Sequence, residues 1–154
     1  MHLRAILSQQ TLSLIDEEGA VARTWPLSSA AKGIGFKEGS FQTPTGRFLI
    51  CEKIGAGEPP YTIFKNRRPT GLWDPTTGQP TGEDHILTRI LWLKGLDPEN
   101  ANTRERYIYL HGTHQEETIG QPVSHGCLRL TNHDILEVFQ AVEEGTLVEI
   151  LAEA

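Results

Sequence analysis

Glycine and proline punctuate this chain so densely that only one stretch can run as a long helix. There are 15 glycines and nine prolines in 154 residues. Glycine frees the backbone for turns, and proline removes an amide that a helix or ladder needs. Most runs between them are short, as strands are. Leu3, Ala5 and Leu7 give a loose strand pattern, and Leu12 and Leu14 lead to a turn at residues 16–19, with residues 21–25 as a hairpin partner. Residues 47–51 read as a buried strand, and further strands are expected at 86–93, 107–110 and 146–151. The helix lies late. Thr131 can cap it, with Asp134 three residues on. Ile135, Leu136, Val138, Phe139 and Val142 make its apolar stripe, and Gly145 would stop it. The expected fold is mainly β with one principal helix near the C-terminus.

A chain of 154 residues is expected to be a single domain, residues 1–154. Its 14 Lys and Arg against 20 Asp and Glu leave a net charge of −6. That balance argues against binding a phosphate backbone or an anionic membrane. The first ten residues lack the apolar core of an export signal, and no stretch approaches the roughly 18 apolar residues of a membrane span. The expected compartment is the cytoplasm, or the periplasm if the chain has been trimmed. Two cysteines make no disulfide framework. Cys51, in an apolar run, is expected to be an inert buried thiol. Residues 55–84 are rich in Gly, Pro and Thr and read as an irregular surface excursion beside a functional site.

The residues that can carry chemistry gather in two places. One is His111-Gly112-Thr113-His114, and the other is Ser124-His125-Gly126-Cys127-Leu128-Arg129. A thiol reacts as its thiolate, and a histidine nearby can take the proton and return it to a leaving amine. His111 closes an expected strand, where its ring can be held rigidly. Gly126 lets backbone amides approach a bound carbonyl. Arg129, two residues beyond Cys127, shares its face if the segment is extended, and can grip a carboxylate bidentately. Packing residues or a zinc site are the alternatives. His111 and His114 are three apart and His125 and Cys127 two apart, but the first pair flanks Gly112 and no second cysteine is close.

At these positions the sequence resembles the L,D-transpeptidase catalytic domain family, also called the YkuD domain. His111 precedes Cys127 by 16 residues, Ser124-His125-Gly126-Cys127-Leu128-Arg129 matches the family block, and Asn132 falls where an asparagine is common. Thr43-Pro44-Thr45-Gly46-Arg47-Phe48 resembles a second family stretch. The resemblance implies a β-sandwich and a set of roles. Cys127 would be the nucleophile, with a thiol titrating below the ordinary value of roughly 8.5. His111 would be its base, oriented by a carbonyl near Gly112. His125, Gly126 and the Cys127 amide would frame the oxyanion and substrate, Arg129 would support the substrate or the site, and Ser124 would shape the turn. Asn132 is expected to start the helix. No metal or cofactor is implied.

The implied substrate is a peptidoglycan stem peptide or muropeptide, cut before the terminal D-Ala of a tetrapeptide through a thioester. An amine acceptor makes a cross-link, and water makes the enzyme an L,D-carboxypeptidase. A cytoplasmic chain would meet recycled muropeptides, which favours water. A non-catalytic module binding peptidoglycan fragments is the alternative of another class. The chain is expected to act as a monomer, with neither nucleic acid nor membrane as partner. Acylation by carbapenem-type β-lactams is also implied. Cys127→Ala should abolish release of D-Ala while Cys51→Ala leaves it nearly intact; equal loss in both variants would remove Cys127 as nucleophile.

Overall fold

The computed structural model describes residues 1–77 and 84–154. Ten strands join in one hydrogen-bonded sheet among these residues. β1 (His2–Ile6), β2 (Thr11–Ile15) and β3 (Val21–Pro26) form an antiparallel meander. β10 (Leu147–Leu151) lies parallel to β1 and antiparallel to β4 (Gly46–Ile54), so the last strand joins the meander to the centre. β4 pairs with the long β7 (Ile86–Gly95), which also pairs with β5 (Thr62–Lys65) of the hairpin completed by β6 (Arg68–Leu72). The opposite edge of β7 takes β8 (Tyr109–Gly112), and β8 takes β9 (Leu128–Leu130) in parallel. The helix α1 (Asn132–Ala141) follows β9.

The sheet bends over its own core. Leu3 and Leu12 from the meander, Leu110 and Leu128 from the β8–β9 arm, and Val138 of α1 share one buried cluster. Two arms thus face each other as in a sandwich, while a single ladder of backbone hydrogen bonds runs through both. Side chains alternate across a strand. Leu110 and Leu128 therefore turn inward, and Tyr109 and His111 turn to the other face. There Phe64, Ile90, Trp92 and Tyr109 form a second cluster, with Cys51 and Cys127 packed against it.

Several strand expectations shift. Tyr107 takes a left-handed φ of 57°, closing a run of turns, so β8 starts at Tyr109 and carries His111 within it. β4 alternates instead of being wholly buried: Phe48 and Ile50 are inside, and Cys51 is half-buried, its thiol donating to the Trp92 carbonyl at 3.3 Å. The excursion at 55–84 contains the regular hairpin β5–β6, which its prolines had hidden. Pro69 fits because β6 is an exposed edge strand, where a missing amide is tolerated. Residues 78–83 of that stretch lie outside the described residues.

The helix begins as expected and ends differently. Thr131 Oγ1 accepts from the Asp134 amide at 3.1 Å. The helix stops at Ala141, with Val142 already extended at φ −125°. Gly145 does not cap it; its φ of 91° serves the turn into β10. The helix end is instead met by Lys53 of β4, whose Nζ donates to the carbonyls of Phe139 and Val142 at 2.6 and 2.7 Å. An ammonium at a helix C-terminus satisfies unpaired carbonyls and opposes the negative end of the dipole. Lys53→Met should cost about 1–2 kcal/mol in urea unfolding, from lost charged hydrogen bonds to partly buried carbonyls; an unchanged midpoint would assign termination to the local sequence alone.

Candidate active site

The parallel pairing of β8 and β9 assembles the site. Its register sets His111 against Arg129 and Leu110 against Leu128. Cys127 immediately precedes β9, so it lies on the same face as Arg129, two residues on. The Tyr109 amide donates to Cys127 Sγ at 3.3 Å, and Sγ lies 3.4 Å from the Tyr107 carbonyl oxygen. Alternate Cα atoms of a strand are about 6–7 Å apart. Tyr109 at the sulfur and His111 two residues along therefore put thiol and imidazole on one face.

Buried hydrogen bonds hold the cysteine loop. Ser124 Oγ donates to the Cys127 carbonyl at 2.6 Å and accepts from the Gly126 amide at 3.2 Å, closing the turn. The Gly126 amide is engaged by Ser124, and its φ of 129° lies in a region that side chains avoid, so only glycine fits this turn without strain. Thr43, from the second motif, donates through Oγ1 to the Gly126 carbonyl at 2.9 Å. On the other flank Ser28 exchanges two backbone bonds with Arg129, each 2.9 Å.

His111 is buried, and its Nδ1 lies 2.6 Å from the Gly112 carbonyl oxygen. A side chain at Gly112 would collide with Asn132 and come within 2.8 Å of the Leu87 carbonyl. Asn132 is the first residue of α1 and more than a helix start. Its Nδ2 donates to the Thr113 carbonyl at 2.8 Å, and its Oδ1 accepts from Thr88 Oγ1 at 2.5 Å. Thr88 sits in a β-bulge of β7 with φ 76°, a strained value for a β-branched residue. Helix, bulge and histidine loop are thereby tied together.

Arg129 departs from its expected role of gripping a substrate carboxylate. It is 2% exposed, and its Nη2 pairs at 2.8 Å with Asp84 Oδ2. Its Nη1 donates to Gln115 Oε1 at 3.1 Å. The carboxylate it grips is the protein's own, so Arg129 supports the site from within. Asp84 also lies 3.4 Å from Nδ1 of the exposed His125. Burial alone would raise the Asp84 carboxyl, but His111, Arg129 and His125 together hold it below the usual range. The sequence had no signal for Asp84, one of several acids in a Gly- and Pro-rich stretch. His114 packs at a tilt against Trp73 and edge-to-face against His85, at ring distances of 4.9 and 5.0 Å. His133 is exposed on α1. Among the described residues the ligand atoms of His111, His114, His125 and Cys127 do not converge as a metal site would require.

The protonation states differ from the expected low thiol pKa. Cys127 keeps partial solvent access, yet desolvation of its sulfur pushes the thiol up to about 12, against the pull of the Tyr109 amide, Arg129 and Arg106. Burial likewise lowers His111, with the Asp84 carboxylate pulling the other way. Both groups therefore rest neutral at neutral pH. The physical reason is that loss of water outweighs the cations nearby.

The model of the L,D-transpeptidase catalytic domain (YkuD) matches residues 2–150. The chain is 46% identical to YbiS of Escherichia coli K12, named a probable L,D-transpeptidase, over 135 residues covering 88% of this chain and 36% of YbiS. It is 30% identical to YkuD of Bacillus subtilis strain 168 over 117 residues, covering 67% of this chain and 65% of YkuD. The chain thus spans between about a third and two thirds of these relatives. Among solved structures, the L,D-transpeptidase of Xylanimonas cellulosilytica superposes with a TM-score of 0.62 at 18% identity, covering 96% of this chain and 58% of that one. The LdtMt1–imipenem complex gives 0.59 at 23% identity, covering 97% and 57%. At such identity these two speak for the fold. The chain belongs to the L,D-transpeptidase catalytic domain family.

With a thiol pKa of about 12, the thiolate fraction of Cys127 should grow with every pH increment across the accessible range. Its alkylation rate should still be climbing at about pH 10, beyond the ordinary thiol value of roughly 8.5. A plateau below about pH 8 would show a preformed thiolate–imidazolium pair instead.

Proposed function

We propose that the chain is a cysteine acyltransferase acting on peptidoglycan stem peptides, cleaving the bond between the L-centre of the third residue and the terminal D-Ala. The observation that carries this reading is the shared face of Cys127 and His111, with His111 Nδ1 held 2.6 Å from the Gly112 carbonyl. A proton on Nδ1 donated to that carbonyl leaves the lone pair on Nε2, so the imidazole is poised as a base. The names of the relatives, and a family structure described as a complex with imipenem, support the substrate class and acylation by carbapenem-type β-lactams.

The reaction starts from neutral partners. As Sγ bonds to the substrate carbonyl carbon, His111 Nε2 takes the thiol proton, so no free thiolate is required. The negative charge passes to the carbonyl oxygen, for which the Cys127 amide is the proposed donor. The Asp84 carboxylate favours the imidazolium that forms. When the C–N bond breaks, His111 returns the proton to the leaving amine of D-Ala, and a thioester on Cys127 remains. The acceptor then gives a proton to His111 and attacks the thioester, and Sγ leaves as thiol.

Water as the acceptor makes the chain an L,D-carboxypeptidase of muropeptide recycling. This reading goes with a cytoplasmic setting as part of the same proposal, in which soluble muropeptides would be the available substrates. An amine acceptor is the second reading, favoured by the transpeptidase names of the relatives. The test is mass spectrometry of the chain incubated with a tetrapeptide stem ending in D-Ala, with and without excess free D-amino acid. Tripeptide alone, unaffected by the added amine, is the expected result. Terminal exchange or dimer formation would establish the transpeptidase. Binding without turnover would leave only a peptidoglycan-fragment module.

A further inference from the structure

A cavity of about 260 Å³ is lined by Asn66, Arg67, Ile86, Tyr107 and Tyr109. It adjoins the sulfur through backbone: the Tyr109 amide and the Tyr107 carbonyl are the two groups that contact Sγ. Its charge comes from Arg67. Arg4, Arg23, Arg47 and Arg129 each face a carboxylate of this chain. Arg67, like Arg68, Arg89, Arg104 and Arg106, has no such ion pair among the described residues, and of these it is the one that lines this cavity. Its guanidinium lies 4.9 Å from the Trp92 ring centre and 5.0 Å from that of Tyr107, and Nη1 donates to the Tyr109 hydroxyl at 3.3 Å.

The backbone that presents Arg67 is also unusual. β5 and β6 are joined by Asn66 and Arg67 alone, since Lys65 pairs with Arg68. Both loop residues have left-handed φ, 49° and 64°. Such two-residue turns favour Asn followed by Gly, which takes the second position without a steric penalty. An arginine there works against the hairpin, and its side chain is directed onto aromatic rings at the edge of this cavity. Strain of this kind concentrates where a side chain is needed for a ligand.

We propose that Arg67, with Tyr107 and Tyr109, forms a subsite for a carboxylate of the bound stem peptide. The proposal rests on the peptidoglycan reading above and deepens it. A planar guanidinium presents paired N–H donors that match a carboxylate. The Tyr109 hydroxyl accepts from Arg67 and keeps its own proton to donate. The aromatic faces hold the cation in place without neutralising it, as an internal carboxylate would. A tetrapeptide stem offers this chemistry at its D-glutamyl residue, at its diamino acid and at its terminal D-Ala.

The experiment is calorimetric binding to the Cys127→Ala chain, which cannot turn over. The probes are the tetrapeptide and three derivatives, each amidated at one of those carboxylates. One amide should weaken binding about tenfold or more, the size expected for a lost charged hydrogen bond. Adding Arg67→Gly should weaken the free-acid peptide equally and abolish discrimination against that amide, as a coupled pair requires. Arg67→Lys should recover part of the loss, and Arg67→Gly should not lower the Tm. Discrimination that persists in Arg67→Gly, or three amides that bind like the parent, would overturn the subsite and leave the proposed function intact. Failure of every peptide to bind would remove both.

Discussion

The parallel pairing of β8 with β9 is the contact on which the site depends. These strands are short, and hydrogen bonds of two short strands alone would not hold them together. Leu110 and Leu128, opposite one another, are fully buried and tie the pair to the main core. With those two side chains fixed inward, the two-residue period turns Tyr109, His111 and Arg129 to the other face. A register slip of one residue would send His111 into the hydrocarbon core. The neighbours guard against it: Ser28 brackets Arg129, Ser124 closes the loop before β9, and Asn132 binds the helix start to the Thr113 carbonyl. Precision at the thiol is therefore a product of core packing on the opposite side of the same strands.

The electrostatics of this face are those of a partly dry site. Arg129 and Asp84 neutralise each other at 2.8 Å, so the buried guanidinium is a structural charge. Cys127 and His111, both desolvated, rest without charge. A neutral pair is less reactive toward indiscriminate electrophiles than a standing thiolate. In the proposed reaction it becomes reactive when a carbonyl is placed at the sulfur, because proton transfer and bond formation then occur together. The carboxylate of Asp84 favours the imidazolium only once that proton has moved.

Much of this was legible in the chain itself because it depends on local chemistry. Thr131 with Asp134 specifies a cap, and the stripe from Ile135 to Phe139 specifies a helical face; neither needs a distant partner. Ser124 through Arg129 is a contiguous block whose turn is closed by its own hydroxyl. Other features need residues far apart in sequence. Gly145 reads as a helix stop until Lys53, remote in the chain, takes the last carbonyls. Arg129 reads as a substrate clamp until Asp84 meets it. Pro69 disguised β6 because an edge strand obeys different rules from a central one.

By itself the sequence determined the kind of fold, the late helix and which residues are candidates for the chemistry. Glycine and proline spacing limits segment length, and side-chain chemistry is a property of each residue type. The tertiary structure alone decided protonation and partnership: which carboxylate Arg129 meets, that Cys127 and His111 rest neutral, and that Arg67 faces an open cavity. Those properties depend on how much water each group loses and which charges come near it, and both are set only when distant segments pack.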